Sequence, residues 1–296
     1  MRFDFHYTTE GWRISEVNAD VPGGLNEASG FAPLMAPHYP STTGVGDPVD
    51  AYVKALVAAV GPRATIGLVH ATAYCDDQQM MTFVARRLEA AGVSVHLASP
   101  AHLRWRDGSA WLHATWWQGP LDGIVRFFPA EWLTRLPSET GWPLVFAGSR
   151  TPLSNPATAI VVQTKRFPLI WDALETRVPT WRALLAETRD PRDAPWRASD
   201  EWVVKPALGR MGEGVGVRSV VDPMEMRRID RSVRWCPGAW VAQRRFHPLP
   251  IEIDGVPAFP CLGVYTLDGR VVGAYGRVAR LPLIDGSAAD AAVLAA

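Results

Sequence analysis

The segment from Thr65 to Ala98 constrains this chain more than any other. Thr65-Ile66-Gly67-Leu68-Val69-His70-Ala71 is a short apolar run, and Asp76 to Ala91 carries apolar residues at helical spacing. Gly92 supplies a stop, and Val93-Ser94-Val95-His96-Leu97-Ala98 is a second apolar run. Strand, amphipathic helix and strand in that order form a βαβ unit, which closes as two parallel strands joined by a right-handed crossover.

Around this unit the chain divides into recognisable pieces. Residues 1–18 read as two strands, RFDFHY and WRISEVN, about a Thr8-Thr9-Glu10-Gly11 turn. Residues 19–48, rich in Gly, Pro, Ser and Asn, read as mostly loop with Pro22-Gly23-Gly24 as a turn, and Asp50 to Val60 has helical spacing. RWRDGSAWLHA reads as a hairpin turning at Asp107-Gly108, and DGIVRFF as a strand followed by a short helix around Glu131-Trp132-Leu133. Val161–Leu174 is expected to be a helix, with another around 180–188, and residues 188–200 a charged linker or flexible loop. From 201 onward the pattern is strand-rich: EWVVKPA, VGVRSVV, AWVAQRRF and PCLGVYTLDGRVVGAYGRV, the last turning at Leu267-Asp268-Gly269-Arg270.

Composition narrows the function classes. At 296 residues the chain fits two lobes or one domain with insertions. Its formal net charge of zero offers no general basic surface for nucleic acid. No run approaches the ~18 apolar residues that cross a membrane, and no signal pattern opens the chain. Cys75, Cys236 and Cys261 form no CxxC pair, which argues against a zinc cluster or disulfide framework and for a reducing cytoplasm. The 13 tryptophans are expected mostly as core or pocket walls.

Two constellations carry chemistry. In the N-terminal hairpin, alternation puts Arg2 and Asp4 on one face, and Glu16 and Asn18 likewise. A turn centred near Glu10 sets Asp4 opposite Glu16 and Arg2 opposite Asn18. Two carboxylates and an amide oxygen so close suit a magnesium ion that keeps waters and phosphates in its shell, with arginine beside a phosphoryl group. The same pattern also describes an amphipathic hairpin whose charges face water. The second constellation is Lys205-Pro206-Ala207-Leu208-Gly209-Arg210-Met211-Gly212-Glu213-Gly214-Val215-Gly216, a strand running into a loop with four glycines and then another strand. Glycines let backbone N–H groups approach phosphates and Lys205 adds a point charge, although a plain Gly-rich hairpin reads the same way. It is neither a Walker loop nor a dinucleotide fingerprint, since GK[ST] is missing and no helix follows.

Lys165, in QTKRFPLIWDAL, Gln243, in WVAQRRF, and Arg277, ending GAYGRVAR, are weaker candidates. Asp20, Glu27, Arg126 and Glu131 could recognise an amine or carboxylate, or simply pair in the core or at the surface. The seven histidines show no metal-ligand spacing, and no GxSxG elbow is present. Cys75, beside two aspartates, is expected to be buried or inert.

Together these segments resemble the glutathionylspermidine synthase-like, circularly permuted branch of the ATP-grasp superfamily. RFDF…EVNADVP resembles that family's R-x-D…E-x-N metal motif, VVKPALGRMGEGV its lysine and phosphate loop, and QTKRFPLIW, VAQRRF and GxYGR its flanking nucleotide segments. The candidate metal residues precede the Gly-rich loop by almost two hundred residues, as in the permuted order.

The resemblance implies an α/β fold with α+β elements, an ATP-grasp-type fold with a pre-ATP-grasp-like βαβ lobe and a strand-rich nucleotide-binding lobe. Residues 1–60 would form the metal-binding hairpin and loop, 61–150 the parallel-sheet lobe, and 151–296 the ATP-grasp lobe. Asp4, Glu16 and Asn18 would hold magnesium; Lys165 and Lys205 the ATP phosphates; Gly209, Arg210, Gly212 and Gly214 would belong to the loop covering them; Gln243 would meet adenine; Arg2 and Arg277 would stabilise the transferring phosphoryl group. The implied reaction joins a small-molecule or peptide carboxylate to an amine through an acyl phosphate in a cytoplasmic ATP- and Mg2+-dependent ligase. An ATP-binding scaffold without turnover and a kinase stopping at a phosphorylated product are the alternatives. Val21-Pro22-Gly23-Gly24 replaces the small hydroxyl residues with which relatives hold glutathione, so glutathione is not the expected substrate. The amidase domain of the bifunctional relatives is absent from this sequence, and relatives carry a segment before the R-x-D strand, where this chain begins.

Overall fold

A computed structural model of the protein describes residues 1–210 and 212–296; Met211, in the Gly-rich segment, lies outside the described residues. The chain opens with β1 (Arg2–Thr8) and β2 (Gly11–Asn18), paired antiparallel with Arg2 opposite Asn18 and Asp4 opposite Glu16, as the alternation predicts. A register shift after Asp4 sets Phe5 opposite Ile14, so Ser15 is the extra residue.

The expected loop at 19–48 is instead interrupted by α1 (Leu25–Met35). Pro22-Gly23-Gly24 does not turn back; Gly24, at φ +78°, starts the helix. Composition misleads here because Leu25, Ala28, Ser29 and Ala32, at i, i+3, i+4 and i+7, form a buried stripe that tertiary contact rewards despite poor helix formers. A two-residue strand, β3 (Thr43–Gly44), precedes α2 (Pro48–Val60), which Asp47 caps by accepting from the Asp50 N–H.

The βαβ unit is present as read: β4 (Thr65–His70), α3 (Cys75–Ala90) and β5 (Ser94–Ala98), with the strands parallel. Cys75 is exposed at the start of α3, so of the expectation that it is buried or inert the burial does not hold; the apolar stripe of that helix begins only at Met80. The hairpin β6 (Leu103–Arg106) and β7 (Ser109–His113) turns through Asp107 and Gly108, both at positive φ, and is extended by a short β8 (Gln118–Pro120). Next come β9 (Gly123–Phe127), α4 (Ala130–Leu133), α5 (Pro143–Ala147) and β10 (Leu153–Ser154), completing a parallel sheet of order β10-β9-β4-β5.

The helix expected over 161–174 breaks into α6 (Ile160–Gln163) and a 3-10 helix over Phe167–Ala173. Thr164 turns extended, and Pro168 lacks the N–H an α-helix would use, so Lys165 lies between helices and not within one. Likewise α7 (Pro179–Leu184) ends before 188, and β11 (Thr188–Arg189) follows. The presumed linker at 188–200 is packed: Trp196 is 2% exposed, and Asp190 is buried between Arg166 and Arg192.

After β12 (Trp202–Pro206), the strand expected at VGVRSVV is reduced to one bridge between Val204 and Gly216. A helix the pattern had missed, α8 (Pro223–Trp235), comes next, capped by Asp222 and burying Met226, Ile229 and Val233. Its many charges hid a regular apolar stripe. The chain ends with β13 (Trp240–Arg244), β14 (Ile251–Ile253), the long hairpin β15 (Val256–Leu267) and β16 (Arg270–Ala279), then β17 (Ala289–Ala291) and β18 (Leu294–Ala295).

Two sheets position the site. The larger has the order β17-β16-β15-β1-β2, so the N-terminal hairpin lies beside the C-terminal one. The smaller has the order β11-β13-β12; one face buries Trp202, Val204, Trp240 and Ala242 against α8 and Trp196, leaving Val203, Lys205 and Gln243 on the other. A single apolar core joins α1, α2 and α3 to β4 and β9 on one side and to Tyr265 and Tyr275 of the large sheet on the other. Of the tryptophans, Trp171, Trp196, Trp202 and Trp240 are buried, six are half-buried, and Trp12, Trp116 and Trp235 are exposed.

Candidate active site

The free face of the small sheet and one face of the large sheet enclose a cleft. Asp4, His6, Glu16, Cys261 and Arg277 line it from the large sheet, Lys205 and Gln243 from the small one, with Lys165, Gly209 and Gly212 at its edge. Direct cross-strand pairs share a face, so the pairings Asp4–Glu16, Asp4–Gly263 and Cys261–Arg277 explain why these side chains converge. Gly263 matters in this register, because a Cβ there would lie 2.6 Å from the Tyr275 ring and 3.0 Å from Arg2 Cδ.

Arg2 stands behind Asp4 and not in the cleft lining. Its Nε and Nη2 donate to the two Asp4 carboxylate oxygens at 2.6 and 2.8 Å, and its Nη1 donates to the Gly23 carbonyl at 2.8 Å. Asn18 also stands behind Asp4, donating to Oδ2 at 3.1 Å. Burial and the facing Glu16 carboxylate push the Asp4 carboxyl up against the pull of Arg2. Burial also disfavours charge on Glu16, yet Lys165, then Arg2 and Lys205, outweigh it and hold that carboxyl down at about 2.

The lysines arrive from separate elements. Lys165 Nζ sits 3.0 Å from Glu16 Oε2 and donates to the Gly209 carbonyl at 2.9 Å, while its backbone N–H donates to Ala207 O. Lys205 Nζ donates to Gln243 Oε1 at 2.7 Å and to the Ser15 carbonyl at 3.1 Å. Burial lowers the Lys205 ammonium to about 8, with Lys165 adding to the fall and Glu16 opposing it.

Around the Gly-rich loop, Gly212 and Gly214 have positive φ, and a Cβ on Gly212 would lie 2.3 Å from the Ile284 carbonyl. Arg210 faces away from the lysines, pairing with Glu131 at 3.0 Å and lying over the Trp132 ring. Arg277 donates to the Asp285 carbonyl at 2.7 Å. Of the other candidates, Asp20 and Arg126 pair in the core, Glu131 pairs with Arg210, and Glu27 is half-buried beside Asp76 and Asp290.

The donor set bears on a metal ion. Among the described residues no group of three or more His, Cys, Asp or Glu side chains is placed to cage one. Two facing carboxylates with an adjoining amide fit magnesium, which takes one or two protein carboxylates and fills its shell with water and phosphate. His6, Ser15, Phe246 and Cys261 also line the cleft. His6 continues the alternation of Arg2 and Asp4 and was open to a sequence reading, whereas Cys261 reaches the site only through the β1–β15 pairing.

The model of the glutathionylspermidine synthase preATP-grasp family matches residues 1–289. The chain belongs to that family. The family is of the ATP-grasp ligase type, and the α/β fold is the one the motifs imply. A crystal structure from Methylobacillus flagellatus KT, provisionally assigned as a gamma-glutamylcysteine synthetase, superposes with a TM-score of 0.55 at 14% identity, over 99% of this chain and 79% of that one. That likeness is one of fold. No curated protein matches the chain by sequence. No described helix of this family member is long and apolar enough to cross a membrane.

Proposed function

We propose that the protein is an ATP- and magnesium-dependent carboxylate–amine ligase acting on a small-molecule or peptide carboxylate and an amine. The observation that carries this reading is the meeting of Glu16, Lys165 and Lys205 beside Asp4, in a cleft edged by the Gly-rich loop. Bound ATP–magnesium supplies the phosphoryl group that activates the carboxylate, after which the amine displaces phosphate from the acyl phosphate.

Asp4 and Glu16, with Asn18 beside them, hold the metal. Arg2 holds the Asp4 carboxylate in place, so its contribution to phosphoryl transfer runs through Asp4. Lys165 and Lys205 bind phosphate oxygens, each ammonium having a third N–H to offer beside the two partners it now holds. Arg277, at the cleft wall, neutralises charge on the transferring group. The Gly-rich loop, from Gly209 through Gly214, offers N–H groups and excludes water, which protects an acyl phosphate. We assign the nucleotide-binding lobe to 151–296, the parallel lobe to 61–150 and the metal hairpin to 1–60. The free thiols of Cys75, Cys236 and Cys261 support a reducing, cytoplasmic setting.

The test is an ADP-release screen of paired acids and amines with mass spectrometry of the product. Release that needs both partners, with an amide product, is expected, and Asp4→Asn or Glu16→Gln abolishes it. Binding of ATP–magnesium without turnover across broad panels would instead identify an ATP-binding scaffold.

A further inference from the structure

Three side chains form a row across the cleft face of the small sheet. Thr188 on the edge strand is directly opposite Gln243 on the central strand, and Lys205 on the third strand is its diagonal neighbour. Their hydrogen bonds have a fixed direction. Thr188 Oγ1 donates to the Ala186 carbonyl at 3.0 Å, which uses its one proton. Its lone pair then accepts from Gln243 Nε2 at 3.1 Å. That contact sets which way the amide points and aims Oε1 at Lys205 Nζ, 2.7 Å away. Gln243 is only 4% exposed, and both ends of its amide are occupied.

We propose that Thr188, acting through Gln243, positions the Lys205 ammonium, so that Gln243 holds a phosphate-binding lysine and does not read the nucleotide base. This rests on the reading that the cleft binds ATP. With Thr188 changed to a residue of the same shape but no hydroxyl, Gln243 Nε2 loses its acceptor. The amide is then free to turn, and an NH2 group facing the ammonium repels it. Base reading and lysine positioning differ in one measurable respect. A base reader contributes only to nucleotides carrying the group it reads, whereas a lysine holder contributes to every triphosphate alike.

The experiment measures calorimetric affinity of the full chain, with magnesium, for ATP and for purine riboside triphosphate, which lacks the amino group of adenine. Thr188→Val is expected to weaken both ligands by the same factor, about tenfold for one hydrogen bond to a charged group, while Thr188→Ser stays within about twofold of wild type. If Thr188→Val loses its cooperative melt, Gln243→Met, which keeps the side-chain length and removes the amide, is read in the same way. Unchanged affinity in the folded variant overturns the proposal, as does a loss confined to ATP. Wild-type protein that binds neither triphosphate overturns the ATP reading of the cleft itself, an outcome distinct from the other two.

Discussion

Lys165 Nζ lies 3.0 Å from Glu16 Oε2 and donates to the Gly209 carbonyl at 2.9 Å, so one ammonium joins the N-terminal hairpin to the start of the Gly-rich loop. The pair is mostly out of solvent, and Lys165 is the chief cause of the low Glu16 pKa after burial, which opposes it. A carboxyl held down in the folded state stabilises above its unfolded value of 4.5, and that stability is lost as pH falls toward about 2. Lys165→Met is therefore expected to cost about 1–3 kcal/mol at pH 7 and distinctly less at pH 3. Denaturant unfolding of both proteins at the two pH values checks it; an equal cost at both would remove the pair from the stability of the fold.

Lys205 makes affinity depend on pH in the other range. Its ammonium, lowered from 10.5 to about 8 by burial, regains its ordinary preference for charge when phosphate arrives. Nucleotide affinity is expected to be flat below pH 8 and to fall above it, by up to about tenfold per pH unit because one proton is linked. Lys205→Arg, charged throughout, should flatten the curve. The sign for folding is opposite, since the folded state binds the Lys205 proton less well and gains stability as pH rises from about 8 to 10.5.

Gly212 and Gly11 both have positive φ, yet only Gly212 is crowded, with Ile284 O 2.3 Å from the site of a Cβ. Gly11→Ala should cost about 1 kcal/mol for backbone strain alone. Gly212→Ala should cost at least about 1 kcal/mol more, because the backbone near Ile284 must shift. Equal midpoints in urea would show that the contact between the Gly-rich loop and the segment around Ile284 yields freely.

Arg126, 1% exposed, donates to Asp20, which is 0% exposed, and to the carbonyls of Asn155 and Phe128. Arg126→Leu leaves a buried carboxylate without its partner and is expected to cost about 3–5 kcal/mol. Adding Asp20→Asn should restore part of that loss, since the amide still accepts from the Ala130 N–H, which Asp20 Oδ2 now receives at 2.9 Å. A double variant no more stable than the single one would contradict this account.

Much of this was legible in the residues. Asp4 opposite Glu16 followed from a period of two and a turn of known chemistry, and the βαβ unit from a change of period bounded by Gly92. The positive-φ turns at Asp107-Gly108 and Asp268-Gly269 were equally local signals. Errors clustered where composition and tertiary burial disagreed. α1 carries Gly, Ser, Asn and Pro among its 11 residues, yet packs the buried stripe Leu25, Ala28, Ser29 and Ala32, and α8 hides three buried apolar residues among four arginines. The charged stretch 188–200 looked like a linker because the buried Trp196 is one residue in thirteen.

The sequence by itself determined most of the longer strands, the parallel unit and the residue types that can hold phosphate and metal, because alternation, capping and turn chemistry act over a few neighbouring residues. Only the tertiary structure decided which of those groups meet. Placing β1 beside β15 and laying the small sheet against the large one set Arg2 behind Asp4 instead of in the cleft, sent Arg210 to Glu131, and gave Gln243 to Lys205. Such partnerships link residues as distant as Gly23 and Tyr265, 242 positions apart, and long-range pairing follows from which faces share a core and which charges cannot be buried alone.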